Sequence, residues 1–390
     1  MTASRIPNGL IGRRTLLTSF AAASGLALAG CARQEEQGAT AGSTVAGSPS
    51  TTASATPTPE PTRSSAPSYA PARAIEAGDS AFVAVTAATM WTAPGLNRQG
   101  VDEPSLGRPV DLATWNQRMP GYRSRYWLLG KLDSQAVVGS PVEVLEITSG
   151  WAKVSFTEQP APHREEGFMT GWVPAVQLVH DERFAHLRED SGTVVVEADK
   201  AMVTAEVGGG EDLLPVSFDT RLPLLEEKDG HVRVALPDAE DGWLPAEDVK
   251  VLKKGQKPPA PTAEQIIETG RRFLGLPYLW AGVSSYGYDC SGFTYTIFRH
   301  HGIDMPRDSG PQLRESGFPS VERADWQPGD LLFFSFADDP DRIRHVAVYI
   351  GDGRIMHSPA TGKTIEIVTV ASYDTGNTYA GAVRPPLATA

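Results

Sequence analysis

Two stretches of the chain share one alternation of apolar and polar positions. The first begins at Pro141 and ends in a Gly-Trp-x-Pro-Ala segment at residues 171–175. The second begins at Leu222 and repeats that ending at residues 242–246. Short alternating runs broken by Gly, Asp and Ser are typical of small antiparallel strands, and a repeated pattern indicates a repeated unit. The sequence therefore predicts two small all-β barrels, over residues 79–180 and 181–252.

The pattern changes after a linker of Lys, Gly and Pro at residues 253–261. Thr262 and Gln265 stand at capping-box spacing, which predicts a helix at the start of a third domain, residues 262–390. A second helix is predicted to begin at Cys290, because Phe293 and Ile297 mark one face of the segment that follows.

Two predicted strands lie further along the third domain. They cover residues 330–334 and 345–350, and a Gly-Asp-Gly turn follows the second one. Alternation places His345, Ala347 and Tyr349 on one face of their strand. Antiparallel pairing through the turn is expected to bring His357 beside His345.

The N-terminus has the pattern of an export signal, residues 1–31. Three arginines precede an uncharged stretch, residues 15–30, which is too short to span a bilayer because that needs about 20 residues. Leu-Ala-Gly-Cys at residues 28–31 resembles a bacterial lipobox and predicts a lipid-modified Cys31; an ordinary signal with a chance cysteine is the alternative. Whether export uses the general or the twin-arginine route stays open.

Residues 32–78 are rich in Ser, Thr, Pro and Ala and are predicted to form a disordered linker. Such a segment contains too little apolar surface to offset the chain entropy lost on folding. We therefore expect an exported protein that is lipid-anchored to the outer face of the cytoplasmic membrane and faces the cell wall.

Charge and cysteine count exclude several classes of protein. The 390 residues have a formal net charge of −12, so no basic field exists to bind nucleic acid. Removing the signal deletes three arginines and no acidic residue, so the formal net charge changes from −12 to −15. Electrostatic attraction therefore contributes little to binding of the mature protein to an anionic cell wall. The two cysteines exclude a disulfide scaffold and a CxxC-type zinc site.

Cys290 is the candidate nucleophile. At a helix N-terminus the free backbone N–H groups favour a thiolate over a thiol. A buried inert thiol is the alternative, but a polar Asp-Cys-Ser triplet between glycines and aromatics is poor core sequence. His345 is the candidate general base and His357 its orienting partner. A Cys/His zinc site lacks the usual ligand spacing, and no metal or other cofactor is expected.

At these residues the third domain resembles the NlpC-type (NlpC/p60) papain-like cysteine peptidases that cut bacterial cell-wall peptides, and the repeats resemble bacterial SH3 domains. The resemblance implies two all-β barrels followed by an α+β papain-like domain. It implies Cys290 as nucleophile, His345 as base and His357 as third residue. Arg344 departs from the family, which more often has Gly before the histidine. The matching segments lie at residues 277–282, 289–292, 328–334, 345–351 and 356–358.

The whole arrangement resembles the γ-D-glutamyl-L-diamino-acid endopeptidases, which implies specificity for a free N-terminal L-Ala. By that resemblance Asp308 holds the substrate ammonium beside Ser309, and a solvated loop residue or helix cap is the alternative for Asp308. Tyr278 is the candidate oxyanion donor. The other residues expected to line the pocket are Asp289, Trp280, Ser291 and, from the first barrel, Tyr126.

These observations predict a peptidase for peptidoglycan-derived peptides that binds no nucleic acid. A monomer is the expectation, although the sequence leaves the oligomeric state open. A broader endopeptidase on intact wall stems, acyl transfer to another amine, and a non-catalytic SH3 wall-binding lipoprotein are the competing hypotheses. The sequence leaves open whether the diamino acid is lysine or diaminopimelate, and whether the protein recycles fragments or remodels walls.

Overall fold

The computed structural model describes residues 69–238 and 240–389, and the export signal, Cys31 and most of the predicted linker lie outside these ranges. The first of three folded parts is an antiparallel seven-stranded barrel with an insertion between its second and third strands. Its buried valines, such as Val142 and Val144, alternate with exposed residues, as the period of a half-buried strand requires. The elements are β1 (Ser80–Val83), β2 (Ala87–Trp91), α1 (Leu112–Gln117), α2 (Tyr122–Tyr126), β3 (Leu132–Val137), β4 (Pro141–Thr148), β5 (Trp151–Pro160), β6 (Phe168–Pro174) and β7 (Leu178–Val179).

The second part repeats this barrel after a helix, α3 (Glu182–Asp190). Its strand order, β10-β9-β13-β12-β11-β8-β14, matches position by position the order β3-β2-β6-β5-β4-β1-β7 of the first barrel. The two predicted barrels are thus confirmed as copies of one topology. The strands are β8 (Thr193–Val196), β9 (Lys200–Glu206), β10 (Gly209–Ser217), β11 (Arg221–Lys228), β12 (His231–Ala235), β13 (Asp241–Pro245) and β14 (Val249–Leu252).

The end of the predicted linker differs from the expectation. Arg73 forms an isolated antiparallel bridge with His180 and a 2.7 Å ion pair with Asp79. Ile75 is buried in the core of the first barrel. One apolar side chain and one bridge attach this segment to the barrel, and an average composition over 47 residues hides both.

The third part is an α+β domain, as predicted. Its five-stranded antiparallel sheet has the order β20-β19-β18-β17-β21, and α5 packs against it through a shared apolar core that includes Phe293, Ile297 and Val346. The elements are α4 (Ala263–Arg271), β15 (Val283–Ser284), β16 (Gly287–Tyr288), α5 (Cys290–His300), α6 (Ser309–Arg314), β17 (Leu331–Phe336), β18 (Asp339–Gly351), β19 (Arg354–His357), β20 (Glu366–Thr369), α7 (Val370–Tyr373) and β21 (Tyr379–Val383).

Both barrels contact the third domain through buried polar groups. On α5, Arg299 forms ion pairs with Asp219 of the second barrel at 2.5 Å and with Glu158 of the first at 2.6 Å. Its guanidinium is 10% exposed. Burial opposes ionisation of both carboxylates, yet the pKa of Asp219 is held below its ordinary value by Arg221 and then Arg299, and that of Glu158 by Arg299 with Arg188 and Arg221. The far end of the Cys290 helix is thereby held by both barrels.

Within the described part of the chain, no helix is both long and apolar enough to cross a membrane.

Candidate active site

Cys290 is the first residue of α5, as the sequence predicts. Asp289 is the N-cap: one carboxylate oxygen accepts the Gly292 N–H at 2.7 Å and the other accepts the Ala281 N–H at 2.9 Å. This carboxylate satisfies one free N–H of the helix start and joins it to the preceding loop. Gly292 must be glycine, because a Cβ there would clash with the Gly282 carbonyl.

The electrostatics at the thiol differ from the sequence expectation. Cys290 is 8% exposed, and burial together with the Asp289 carboxylate raises the pKa of its thiol to about 12. The backbone N–H groups of Ser291 and Val346 and the Arg307 charge offset only part of this rise. A helix N-terminus favours the thiolate, but here the cost of desolvating a charged sulfur is larger. The resting nucleophile is therefore a neutral thiol.

His345 and His357 lie side by side in the sheet, as the turn predicts. His345 Nε2 and His357 Nδ1 are 2.8 Å apart, and the two residues are 1% and 0% exposed. Burial lowers the pKa of His345 well below its ordinary value, with further lowering from His357 and Arg344, and burial lowers the pKa of His357 to about 4. His345 is therefore a neutral imidazole whose Nδ1 is free of the histidine pair. Val346, whose N–H faces the thiol, directly follows His345 in β18.

Tyr278 lies close to the thiol and is buried. Burial, with the nearby Cys290 and Asp289, raises the pKa of its phenol well above the ordinary value. The hydroxyl therefore stays protonated at neutral pH, as a hydrogen-bond donor must.

Arg344 lines the site, but its guanidinium is already engaged. It donates to the Ser335 carbonyl at 2.7 Å, to the Tyr373 hydroxyl at 3.1 Å and to Thr378 Oγ1 at 3.2 Å. These bonds hold its side chain against β17, α7 and the segment that precedes β21.

Arg307 is a buried cation that the sequence reasoning did not single out. It is 1% exposed and donates to Asp289 Oδ2 at 2.8 Å, to Ser291 Oγ at 2.9 Å and to Ser134 Oγ of the first barrel at 3.1 Å. Its backbone N–H also donates to the Pro160 carbonyl of that barrel at 3.0 Å. Arg307 stands in the quoted Pro-Arg-Asp-Ser segment, but nothing in the sequence indicates that it is buried.

A cavity of about 950 Å³ lies over Cys290 and gathers most of the predicted site residues. The end of β17 and the first part of β18 also line it, at Phe336, Asp339 and residues 341–344. So do residues of the first barrel that the sequence reasoning missed, among them Leu129, Asp133 and His163. The predicted residues that line the cavity are Tyr278, Trp280, Asp289, Cys290, Ser291, Asp308 and Ser309.

Tyr126 is placed elsewhere by the structure. It is 49% exposed and stacks on Tyr122 with ring centroids 5.2 Å apart, and it is absent from the described residues that line the cavity. The first barrel instead reaches the site through β3 and the segment before it. Leu132, at the start of β3, accepts a 2.8 Å hydrogen bond from the Trp280 indole.

Asp308 stands at the cavity wall with two cationic or titratable neighbours. Its carboxylate lies 3.3 Å from Arg307 and 3.8 Å from His163. Burial raises its pKa, while Arg307 lowers it less strongly. This carboxylate is 34% exposed and so remains available to a ligand in the cavity.

Comparison with known proteins agrees with this site. Residues 275–384 match the NlpC/P60 family model, and residues 196–251 match that of the YKFC SH3b2 domain. The chain is 41% identical over 320 residues to a γ-D-glutamyl-L-lysine dipeptidyl-peptidase of Bacillus cereus, covering 81% of this chain and 94% of that one. It is 36% identical to the enzyme of the same name from Bacillus subtilis, over 73% of this chain and 91% of that one.

A crystal structure of an NlpC/P60 family protein from Bacillus cereus has the same architecture. It superposes with a TM-score of 0.74 at 41% identity, covering 78% of this chain and 99% of that one. The buried cysteine at a helix start, the histidine pair and the two preceding barrels therefore have a common explanation: the chain belongs to the NlpC/P60 family of cysteine peptidases.

Proposed function

We propose that this protein hydrolyses the bond between γ-D-glutamate and the L-diamino acid of peptidoglycan-derived peptides. One observation carries the proposal. Cys290, the first residue of α5, faces the strand that bears His345, and His345 Nε2 lies 2.8 Å from His357 Nδ1. A thiol, an imidazole base and an orienting group are the parts that nucleophilic acyl transfer needs. The names of the two Bacillus relatives support the substrate.

The reaction starts from two neutral groups. His345 Nε2 is engaged with His357, so Nδ1 takes the thiol proton as the sulfur attacks the γ-carbonyl carbon. Tyr278 and the Cys290 backbone N–H donate to the oxyanion. The imidazolium returns its proton to the leaving amine, the C–N bond breaks and a thioester remains. Water, deprotonated by His345, then attacks the thioester and restores the thiol.

Asp308 gives the enzyme its preference for a free N-terminal L-Ala. The carboxylate lies on the wall of the cavity that holds Cys290, and an ammonium is its natural partner. Arg307 donates hydrogen bonds to both Asp289 and Ser291. These bonds hold the part of the cavity wall that lies between Cys290 and Asp308. The first barrel lines the same cavity, so any substrate has to fit against it.

The test uses L-Ala-γ-D-Glu-diamino-acid tripeptides, with lysine and with diaminopimelate, each with a free and an acetylated amine. We expect wild-type protein to release the dipeptide from the tripeptides with a free amine, as measured by mass spectrometry. Cys290→Ala should lose all turnover while its circular dichroism spectrum stays unchanged. Acetylation should remove most activity, because it deletes the cation that faces Asp308. Turnover by Cys290→Ala would refute the mechanism, and equal cleavage of both forms would indicate a broader wall endopeptidase.

We also propose that the protein is attached to the membrane by a lipid on Cys31. The sequence supports this through the Leu-Ala-Gly-Cys segment that ends the export signal. Expressed in a bacterium that processes lipoproteins, Cys31→Ser is expected to move the protein from the membrane to the soluble fraction. Unchanged fractionation would count against the anchor.

A further inference from the structure

The histidine pair ends in a buried nitrogen that has no hydrogen-bond partner within the described part of the chain. His357 is 0% exposed, its Nδ1 is engaged with His345, and its Nε2 makes no hydrogen bond among the described residues. A buried ring nitrogen left unpaired costs free energy, so the groups around it need an explanation.

Glu366 is the acid that faces this nitrogen. It begins β20 and lies directly opposite His357 in the register of β19 and β20. Its Oε1 is 3.7 Å from His357 Nε2, which is too long for a direct hydrogen bond and within the range of an electrostatic contact. The Glu366 side chain is 39% exposed, so its carboxylate is in contact with solvent.

The position of one proton connects this contact to the chemistry. His345 can act as base at Nδ1 only if its Nε2 carries the hydrogen and donates to His357 Nδ1. His357 must then carry its own hydrogen on Nε2, and a carboxylate facing Nε2 favours that tautomer over the other. We infer that Glu366 is a positioning residue of the catalytic machinery: through His357 it fixes the tautomer of His345 and stabilises the imidazolium formed when Cys290 attacks. This inference rests on the proposed function.

Other charged groups around the histidines act differently. Arg344 lowers the pKa of His345, and its guanidinium donates to the Tyr373 hydroxyl. The Tyr373 ring packs 5.0 Å from His345 and 4.8 Å from His357, and burial raises the pKa of its phenol to about 12, so it stays uncharged. Cys290 and Tyr278 are neutral in the resting site. Glu366 therefore supplies a negative charge where burial and Arg344 both disfavour a cation.

The experiment compares Glu366→Met and Glu366→Gln with wild type, with Asp352→Asn as control. Asp352 lies in the β18–β19 turn, pairs only with Arg354 among the described residues, and has a positive φ that Asn tolerates. Steady-state kinetics on the free tripeptide are measured from pH 4 to 8, and kcat is read separately from KM so that protonation of Asp308, which affects binding, does not obscure the result.

We expect Glu366→Met to lower kcat about tenfold with KM little changed, because a catalytic base that is wrongly oriented or too weak slows only the chemical step. The acidic limb of kcat should move to lower pH by about half a unit or more, since a carboxylate that stabilises an imidazolium raises its pKa. Glu366→Gln, whose amide oxygen still faces Nε2, should keep more of kcat than Glu366→Met. Asp352→Asn should match wild type.

Imidazole ¹H–¹⁵N spectra of histidine-labelled protein provide a readout independent of turnover. In wild type we expect His357 protonated at Nε2 and His345 protonated at Nε2, and in Glu366→Met a mixture of tautomers. Unchanged tautomers together with an unchanged kcat profile would overturn the inference, as would a rise in KM alone. A wild-type protein that cleaves no tripeptide would refute the proposed function instead, while the spectra would still test the Glu366 contact.

Discussion

The two barrels share one topology but take different parts in the molecule. The first lines the cavity and contacts the catalytic segment through Leu132 and Ser134 of β3. The corresponding strand of the second barrel, β10, ends at Ser217, which accepts the Ser285 N–H at 2.9 Å, and the second barrel contributes no described residue to the cavity. Equivalent strands of the repeated fold therefore have different roles. In the first barrel the strand forms part of the cavity wall, and in the second it supports the third domain away from the cavity. The difference lies in which surface each barrel presents to the third domain.

The largest effect is expected where both barrels hold α5. Arg299→Met removes the cation between Asp219 and Glu158 and leaves two carboxylates without it at the domain junction. Breaking a buried ion pair in this way costs about 3–5 kcal/mol. Denaturant unfolding should show that loss, while kcat of the protein that remains folded at low temperature stays close to wild type. An unchanged free energy of unfolding in Arg299→Met would mean that these ion pairs do not stabilise the protein.

The pH dependence of unfolding sharpens this result. In wild type the pKa values of Asp219 and Glu158 are lowered by their cationic neighbours. A lowered folded-state pKa adds stability that is complete above the unfolded value of about 4 and is lost as the pH falls through the folded value. Stability should therefore decline below about pH 4. In Arg299→Met this decline should become less steep, since one of the cations that lower the two pKa values is gone while Arg221 and Arg188 remain. An identical slope would argue against the network.

The next effect tests the connection of the first barrel to the cavity. Arg307→Met removes the donor to Ser291 and Ser134 and leaves Asp289 without its counter-charge beside the nucleophile. We expect kcat/KM to fall about 100-fold, the scale of losing a buried charge-assisted contact. Arg384→Met is the control, because Arg384 also pairs with a buried carboxylate, Asp330, away from the cavity. Equal activity losses in both variants would indicate a general effect of destabilisation.

The smallest effect compares the two barrels directly. Ser134→Ala and Ser217→Ala each delete one buried hydroxyl that contacts the third domain, and each should cost about 1 kcal/mol of stability. Only Ser134→Ala should also lower kcat/KM, about fivefold, because its partner Arg307 holds the cavity wall. Tripeptide kinetics and thermal unfolding of the pair decide this, and the same kinetic loss in Ser217→Ala would remove the distinction between the roles of the two strands.

Much of the site followed from local pattern. The capping-box helix at Thr262, the helix that begins at Cys290 and the approach of His357 to His345 were all predicted, because helix caps and a short turn are set by residues close in sequence. The contribution of Arg307 was not, since an arginine is normally exposed and only its partners from two domains make its burial favourable. For the same reason sequence spacing could not place Tyr126, which stacks on Tyr122 rather than lining the cavity.

The sequence by itself determined the repeated barrels, the position of Cys290 at a helix start and the pairing of the two histidines, because periodicity, capping and turns depend on neighbouring residues. Only the tertiary structure decided that the thiol is neutral at rest, that the first barrel forms a wall of the cavity and that Glu366 faces His357. These properties depend on burial and on charges brought together from distant parts of the chain, and the free energy of a charge depends on its surroundings in space.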